Sequence, residues 1–206
     1  MLIQPTAISQ RGFSLVELLI AVGIVGILLG LAFPGYQKWI QNTQIRTAAE
    51  SIQNGLQLAR AEAVKRNVNI EFVLTAALPL AANVTTAAAN AAGPNWIVRV
   101  FPPADPVPAL NFIQGRPATE GSSNSVISVA VGASASVVFT SLGRIAAPPV
   151  PGIAAAQPDP IRIDVTNSAL AVVDRRPLRV LITSAGQIRM CDPSAELNVN
   201  DPRRCP

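Results

Sequence analysis

The chain has 206 residues and a mass of 21.5 kDa, room for one domain with an appendage rather than two full domains. Half of it is apolar and only 14% is charged, with a mean hydropathy of +0.37; few soluble domains are so apolar, so a concentrated membrane segment is expected, with alanine-rich stretches supplying part of the excess. The formal charge is +4, or +3 once Arg11 is removed with residues 1–12; this permits contact with nucleic acid or anionic surfaces without requiring it. There is no histidine, the residue on which many hydrolases, metalloenzymes and proton shuttles depend.

From Phe13 to Phe33 almost every residue is apolar. Roughly 20 helical residues at about 1.5 Å each span a bilayer core of about 30 Å, so this segment is predicted to be a transmembrane helix. The run exceeds the usual signal-peptide core of about 7–15 residues, and no A-x-A-like site follows it. Glu17 sits near its start, where a carboxylate costs a few kcal/mol or more and a functional role is the default expectation. An ordinary signal anchor with a chance Glu is the alternative. Pro34 is expected to kink or break the helix. Gly23, Gly26 and Gly30 permit close helix packing or are ordinary membrane glycines.

The stretch Gly12-Phe13-Ser14-Leu15-Val16-Glu17-Leu18 resembles the processing site of type IV prepilins, and Pro34 and Tyr36 match positions found just after the apolar run in that family. The resemblance implies a leader over residues 1–12 and cleavage between Gly12 and Phe13 by a prepilin peptidase. It also implies N-methylation of Phe13, and pairing of Glu17 with the amine of a neighbouring Phe13 as subunits enter a filament. A buried carboxylate is tolerated when it meets a cation, which the new amine supplies. The implied partners are the peptidase, other major and minor pilins or pseudopilins, and an inner-membrane assembly platform. The implied location is the bacterial inner membrane, crossed once, with the head in the periplasm, and then the filament.

Beyond the membrane segment (13–35), residues 36–67 continue as an amphipathic helix. Ile45, Ala48, Ile52, Leu56, Ala59 and Ala63 recur at three- and four-residue steps on one face, and Glu62 and Arg66 form an i,i+4 pair worth about 0.2–0.5 kcal/mol. Gly55 weakens the helix by about 1 kcal/mol relative to Ala. The run Leu58-Ala59-Arg60-Ala61-Glu62-Ala63-Val64-Lys65-Arg66-Asn67, the strand after it, and Val138-Phe139-Thr140-Ser141-Leu142-Gly143-Arg144 are similar to the GspH/FimT group of minor pilins and minor pseudopilins. The fold implied is the type IV pilin fold: α+β, a long N-terminal helix packed on an antiparallel β-sheet, with the head over 68–206.

Strands are predicted at Asn69–Leu74, Trp96–Phe101, Ser125–Val131, Ser136–Thr140, Ile161–Thr166, Leu178–Thr183 and Gln187–Met190, rich in Val, Ile and Phe and separated by Gly, Pro, Asn and Ser. Ile161-Arg162-Ile163-Asp164-Val165 alternates as a half-exposed strand should. Two Ala/Pro-rich stretches, 75–94 and 145–160, read as long surface loops, either padding or partner-facing surfaces.

Cys191 and Cys205 belong to no CxxC motif, and in an exported head they most simply form one disulfide. Arg175, Arg176, Arg179, Arg189, Arg203 and Arg204 gather late in the chain. Some FimT-like pilins bind DNA through a C-terminal Gly-Arg-x-Arg patch, but Gly186-Gln187-Ile188-Arg189 lacks one of its two arginines; the late arginines therefore read as a solvated charged face, with Arg189, Arg203 and Arg204 as the candidate set for the alternative, DNA binding. No catalytic constellation, metal site or cofactor is expected. The function implied is that of a minor pilin acting in initiation or at the tip of a type IV pilus. The alternatives are a minor pseudopilin of type II secretion and a DNA-binding pilin for transformation.

Overall fold

The computed structural model describes residues 13–102, 111–117, 120–129, 134–147, 157–194, 198 and 200–206. The leader expected over 1–12, with Gly12, and the middle of the second Ala/Pro-rich stretch, 148–156, lie outside them. The chain divides into two units, Met1–Trp39 and Ile40–Pro206.

Helix α1, Leu15–Arg66, runs through the first unit into the second. In the first unit its large apolar residues from Leu15 to Leu29 are exposed on every side, and Tyr36 and Trp39 stack with ring centroids 6.0 Å apart. No single helix among the described residues is long and apolar enough to cross a membrane. Leu15–Gly30 and Gly35–Arg66 meet that requirement together, by length and composition only.

In the second unit, the face of α1 predicted to be buried is buried: Ile45, Ala48, Ile52, Leu56, Ala59 and Ala63 all lie in the main core, joined by Ala49. The strands are β1 (Ile70–Thr75), β2 (Asn95–Val100), β3 (Phe112–Arg116), β4 (Ser125–Val129), β5 (Ser136–Phe139), β6 (Ile161–Asn167), β7 (Leu178–Ile182) and β8 (Ile188–Cys191). They form two four-stranded sheets rather than one, β3-β2-β1-β5 and β4-β6-β7-β8, antiparallel throughout. Phe72, Val98 and Phe139 from the first sheet, and Ile163, Val165 and Val180 from the second, share one core with the helix. That core puts the buried stripe of α1 against apolar faces of both sheets.

Gly55 now has a packing reason. A Cβ there would lie 2.8 Å from Phe72 Cε2 and 3.2 Å from the Trp96 ring, so its absence admits the tilted Phe72–Trp96 pair beneath the helix. Trp96 Nε1 donates to Ser51 Oγ on α1 at 2.9 Å, which satisfies the indole where it is buried.

Seven strands fall where the sequence predicts them, within a residue or two. Among the described residues, strand β3 is the one missed: Phe-Ile-Gln-Gly-Arg holds too few apolar residues to show a period, and it lies at a sheet edge where burial is partial. The stretch 75–94 is also more than a surface loop. A short 3₁₀ turn at Ala81–Asn83 leads to Val84 and Ala87, which are buried against Val73 and Ile97 on the outer face of the first sheet.

Candidate functional site

The N-terminal segment is built by a helix cap. Ser14 Oγ accepts the N–H of Glu17 at 3.2 Å, and Ser14 O accepts the N–H of Leu18 at 3.2 Å. Ser14 and Glu17 therefore stand as N-cap and third helical residue, the spacing of a capping box, with the carboxylate in the first turn where the helix dipole favours it. The Ser14-x-x-Glu17 spacing is the sequence signal of this cap, within the same stretch that resembles the processing site. Phe13 is 84% exposed and Glu17 is exposed beside it. A Cβ added at Gly23, Gly26 or Gly30 would meet nothing within 4 Å, so this face of the helix stays open.

In the head, the two sequence runs that carried the GspH/FimT resemblance meet. Arg60, from Ala-Arg-Ala-Glu-Ala, donates through Nε to the carbonyl of Gly143, from Thr-Ser-Leu-Gly-Arg, at 3.0 Å. Gly143 has φ +71° and Gly186 φ +80°, the left-handed region that favours glycine. A Cβ on Gly186 would lie 2.0 Å from Gly143 O, so the Gly186 turn packs on the Gly143 turn only without a side chain. The Ile145 N–H donates to Ser184 O at 3.1 Å, tying the same two turns. Ser184 donates its hydroxyl and its N–H to Asp159, at 2.6 and 3.1 Å, and holds that carboxyl below its usual range. On the solvent side of α1, Arg66 and Lys65 pair with Glu62 at 2.5 and 3.2 Å; hydrogen bonds from Arg66 and then Lys65 lower its pKa.

The C-terminal loop is closed by a Cys191–Cys205 disulfide with Cα atoms 5.0 Å apart. Asp192 N–H donates to Arg203 O at 2.7 Å and Cys205 N–H to Asp192 O at 3.0 Å, so the returning chain lies beside the end of β8. Arg203 grips Asp201 through Nε at 3.1 Å and Nη2 at 2.7 Å, which lowers the Asp201 pKa to about 2. Next to this loop, a cleft of about 480 Å³ is lined by Leu178, Met190 and Pro202 and rimmed by Arg46, Arg176 and Arg203.

The late arginines do not act alike. Arg175 donates to Leu170 O at 2.7 Å. Arg179 forms a two-bond pair with Asp164, its cross-strand partner, at 2.5 and 3.0 Å, and this raises the Arg179 pKa. Of the three assigned to DNA, Arg189 is exposed on β8, and the pleat directs it away from the face on which Met190 borders the cleft with Arg203. Arg203 is held by Asp201, and Arg204 bridges to Asp192 through its backbone.

The family described as type II transport protein GspH matches residues 48–186, and the prokaryotic N-terminal methylation motif matches residues 8–33. A fimbrial protein of Pseudomonas aeruginosa is 39% identical over 56 residues, 27% of this chain and 36% of its own. The type IV major fimbrial protein FimA of Dichelobacter nodosus is 42% identical over 53 residues, 26% of this chain and 32% of its own. The chain thus spans about a third of the length of these curated relatives. Among solved structures, the type IV minor pilin FimU of Pseudomonas aeruginosa is 17% identical, covers 74% of this chain and 91% of its own, and has a TM-score of 0.48. The minor pseudopilin EpsH of the type 2 secretion system of Vibrio cholerae is 12% identical, covers 73% and 98%, and has a TM-score of 0.45. With the GspH match extending from the buried face of α1 through the turn that Arg60 holds at Gly143, and the methylation motif preceding it, this chain belongs to the GspH family of type IV pilin-like proteins, the minor pilins and pseudopilins.

Proposed function

We propose that this chain is a minor pilin of a type IV pilus. It is cut between Gly12 and Phe13 by prepilin peptidase, N-methylated at Phe13, and held in the inner membrane with its head in the periplasm. It then passes through the assembly platform into the filament, acting in initiation or at the tip beside other pilins. The observation that carries this reading is the first unit of α1. From Leu15 to Leu29 each large apolar residue is more than half exposed, directly after the methylation motif begins. A helix apolar all round has no stable place in water; it needs lipid or other helices. Once such helices pack together, the Glu17 carboxylate is desolvated, and the methylated amine of a neighbouring Phe13 is a cation suited to meet it. The terminal disulfide loop supports the pilus over the secretion system, because it resembles the FimT/FimU type.

A second reading, a minor pseudopilin of a type II secretion system, is favoured by the description of the matching family. Deleting the gene in its host and scoring surface pili, twitching and export of secreted enzymes separates the two. Lost pili with normal export supports the pilus. Lost export with normal pili assigns the chain to secretion. Loss of neither sinks both readings.

A further inference from the structure

Residues 171–176 read Ala-Val-Val-Asp-Arg-Arg and form the tip of the connection between β6 and β7. Val172 is 79% exposed and Val173 89%, two adjacent apolar side chains with none of the described residues over them. The tip is not loose. It makes a 3₁₀ turn at Val172–Asp174, and Leu170 is buried at its base. Arg175 bonds back to Leu170 O. Asn42 of α1 clamps the other side: its Nδ2 donates to Asp174 O at 3.0 Å, and its Oδ1 accepts the Arg176 N–H at 2.9 Å. The clamp therefore holds the valines outward together with Arg176, which is exposed. Asn42 follows Trp39 by three residues in the chain, at the end of the exposed apolar and aromatic run of α1.

We propose that the 171–176 tip is a membrane-contact site: Val172 and Val173 enter the headgroup region of the bilayer and Arg176 lies against lipid phosphates. This rests on the reading that the apolar part of α1 lies in a membrane. A lipid surface is the occupant that fits, because the tip joins an apolar wedge to a cationic flank, with Asp174 the one acid among the six residues. It is also tied to the helix just past its membrane segment. Another strongly exposed apolar residue, Leu142 at 80%, precedes Gly143, whose carbonyl is held by Arg60, eighteen residues farther along α1 than Asn42, and it serves as the control.

The test uses the full chain in vesicles of phosphatidylethanolamine and phosphatidylglycerol. Val173→Cys and Leu142→Cys are each labelled, without reductant, with an environment-sensitive fluorophore, and nitroxide lipids spin-labelled near the headgroup serve as quenchers. The expected result is a blue shift and quenching at position 173, diminished by Arg176→Glu, with neither effect at 142. Protein that floats with the vesicles yet shows no quenching at 173 overturns the tip contact while leaving the anchor intact. A shift at 173 seen only in assembled filaments also overturns it and assigns the tip to a neighbouring subunit. Protein that does not float with the vesicles overturns the membrane reading and this site with it.

Discussion

Glu71 and Arg99 face each other across β1 and β2 and form a buried ion pair, Nε to Oε2 at 2.6 Å, with both side chains less than a tenth exposed. The other Glu71 oxygen accepts the Ser136 hydroxyl from β5, and Arg99 Nη1 donates to the carbonyls of Val84 and Ala87. The pair therefore links three strands to the 75–94 cover. Removing one member strands a charge. Arg99→Met is expected to cost about 3–5 kcal/mol, read by urea denaturation. The double variant Glu71→Leu with Arg99→Met recovers part of that loss, but it leaves the Val84 and Ala87 carbonyls without their donor. Proteolysis within 75–94 should therefore stay faster than in the wild type.

Gly186 and Gly121 separate backbone strain from collision. Both have positive φ, but a Cβ on Gly121 would come no closer than 3.4 Å to Thr47 Cγ2, whereas one on Gly186 would lie 2.0 Å from Gly143 O. Gly121→Ala should lose about 1–2 kcal/mol, the strain alone. Gly186→Ala should lose clearly more and release the 140–144 turn from Arg60. Thermal unfolding of the two variants side by side checks the order; equal losses would refute the collision.

Opening the Cys191–Cys205 bond frees a loop of about 15 residues, for which chain entropy gives roughly 3 kcal/mol. Cys191→Ser with Cys205→Ser should lower stability by about that much. Amide exchange should accelerate at Asp192 and Cys205, whose N–H groups bond across the loop base, while the β6–β7 pairing stays protected.

Asp201 gives the C-terminal loop a pH limit. Its pKa is depressed from 3.8 to about 2 by the Arg203 hydrogen bonds. The contribution of the pair is therefore complete above the unfolded value, fades as pH falls below about 4, and is gone once pH passes about 2. A carboxyl NMR titration should show the Asp201 midpoint below that of a free aspartate, and Arg203→Gln should return it to the ordinary range.

At the N-terminus, Ser14→Ala removes the helix cap and Glu17→Ala the carboxylate. The first should loosen the initial turn by about 0.5–2 kcal/mol and still enter filaments. The second should insert in the membrane but be scarce in sheared filaments, as an immunoblot of the sheared fraction would show. Equal incorporation of the Glu17→Ala variant and the wild type would argue against pairing with Phe13.

What the sequence by itself determined was whatever repeats with a short period or sits in a contiguous motif. The step from Ile45 to Ala63 marked the buried face of α1, the alternation from Ile161 to Val165 marked β6, and residues 12–18 fall within the N-terminal methylation motif. Each of these is set by neighbours a few residues apart, and the helical or extended repeat makes them visible in one dimension. The tertiary structure alone decided the division into two sheets and the edge strand β3. It also turned the alanine-rich 75–94 stretch into a cover, partnered Glu71 with Arg99 from 28 residues away, and joined Arg60 to Gly143 across 83. Those contacts depend on which segments the fold brings side by side. Burial and the need to satisfy every buried charge and carbonyl select the partners, and no local pattern records that choice.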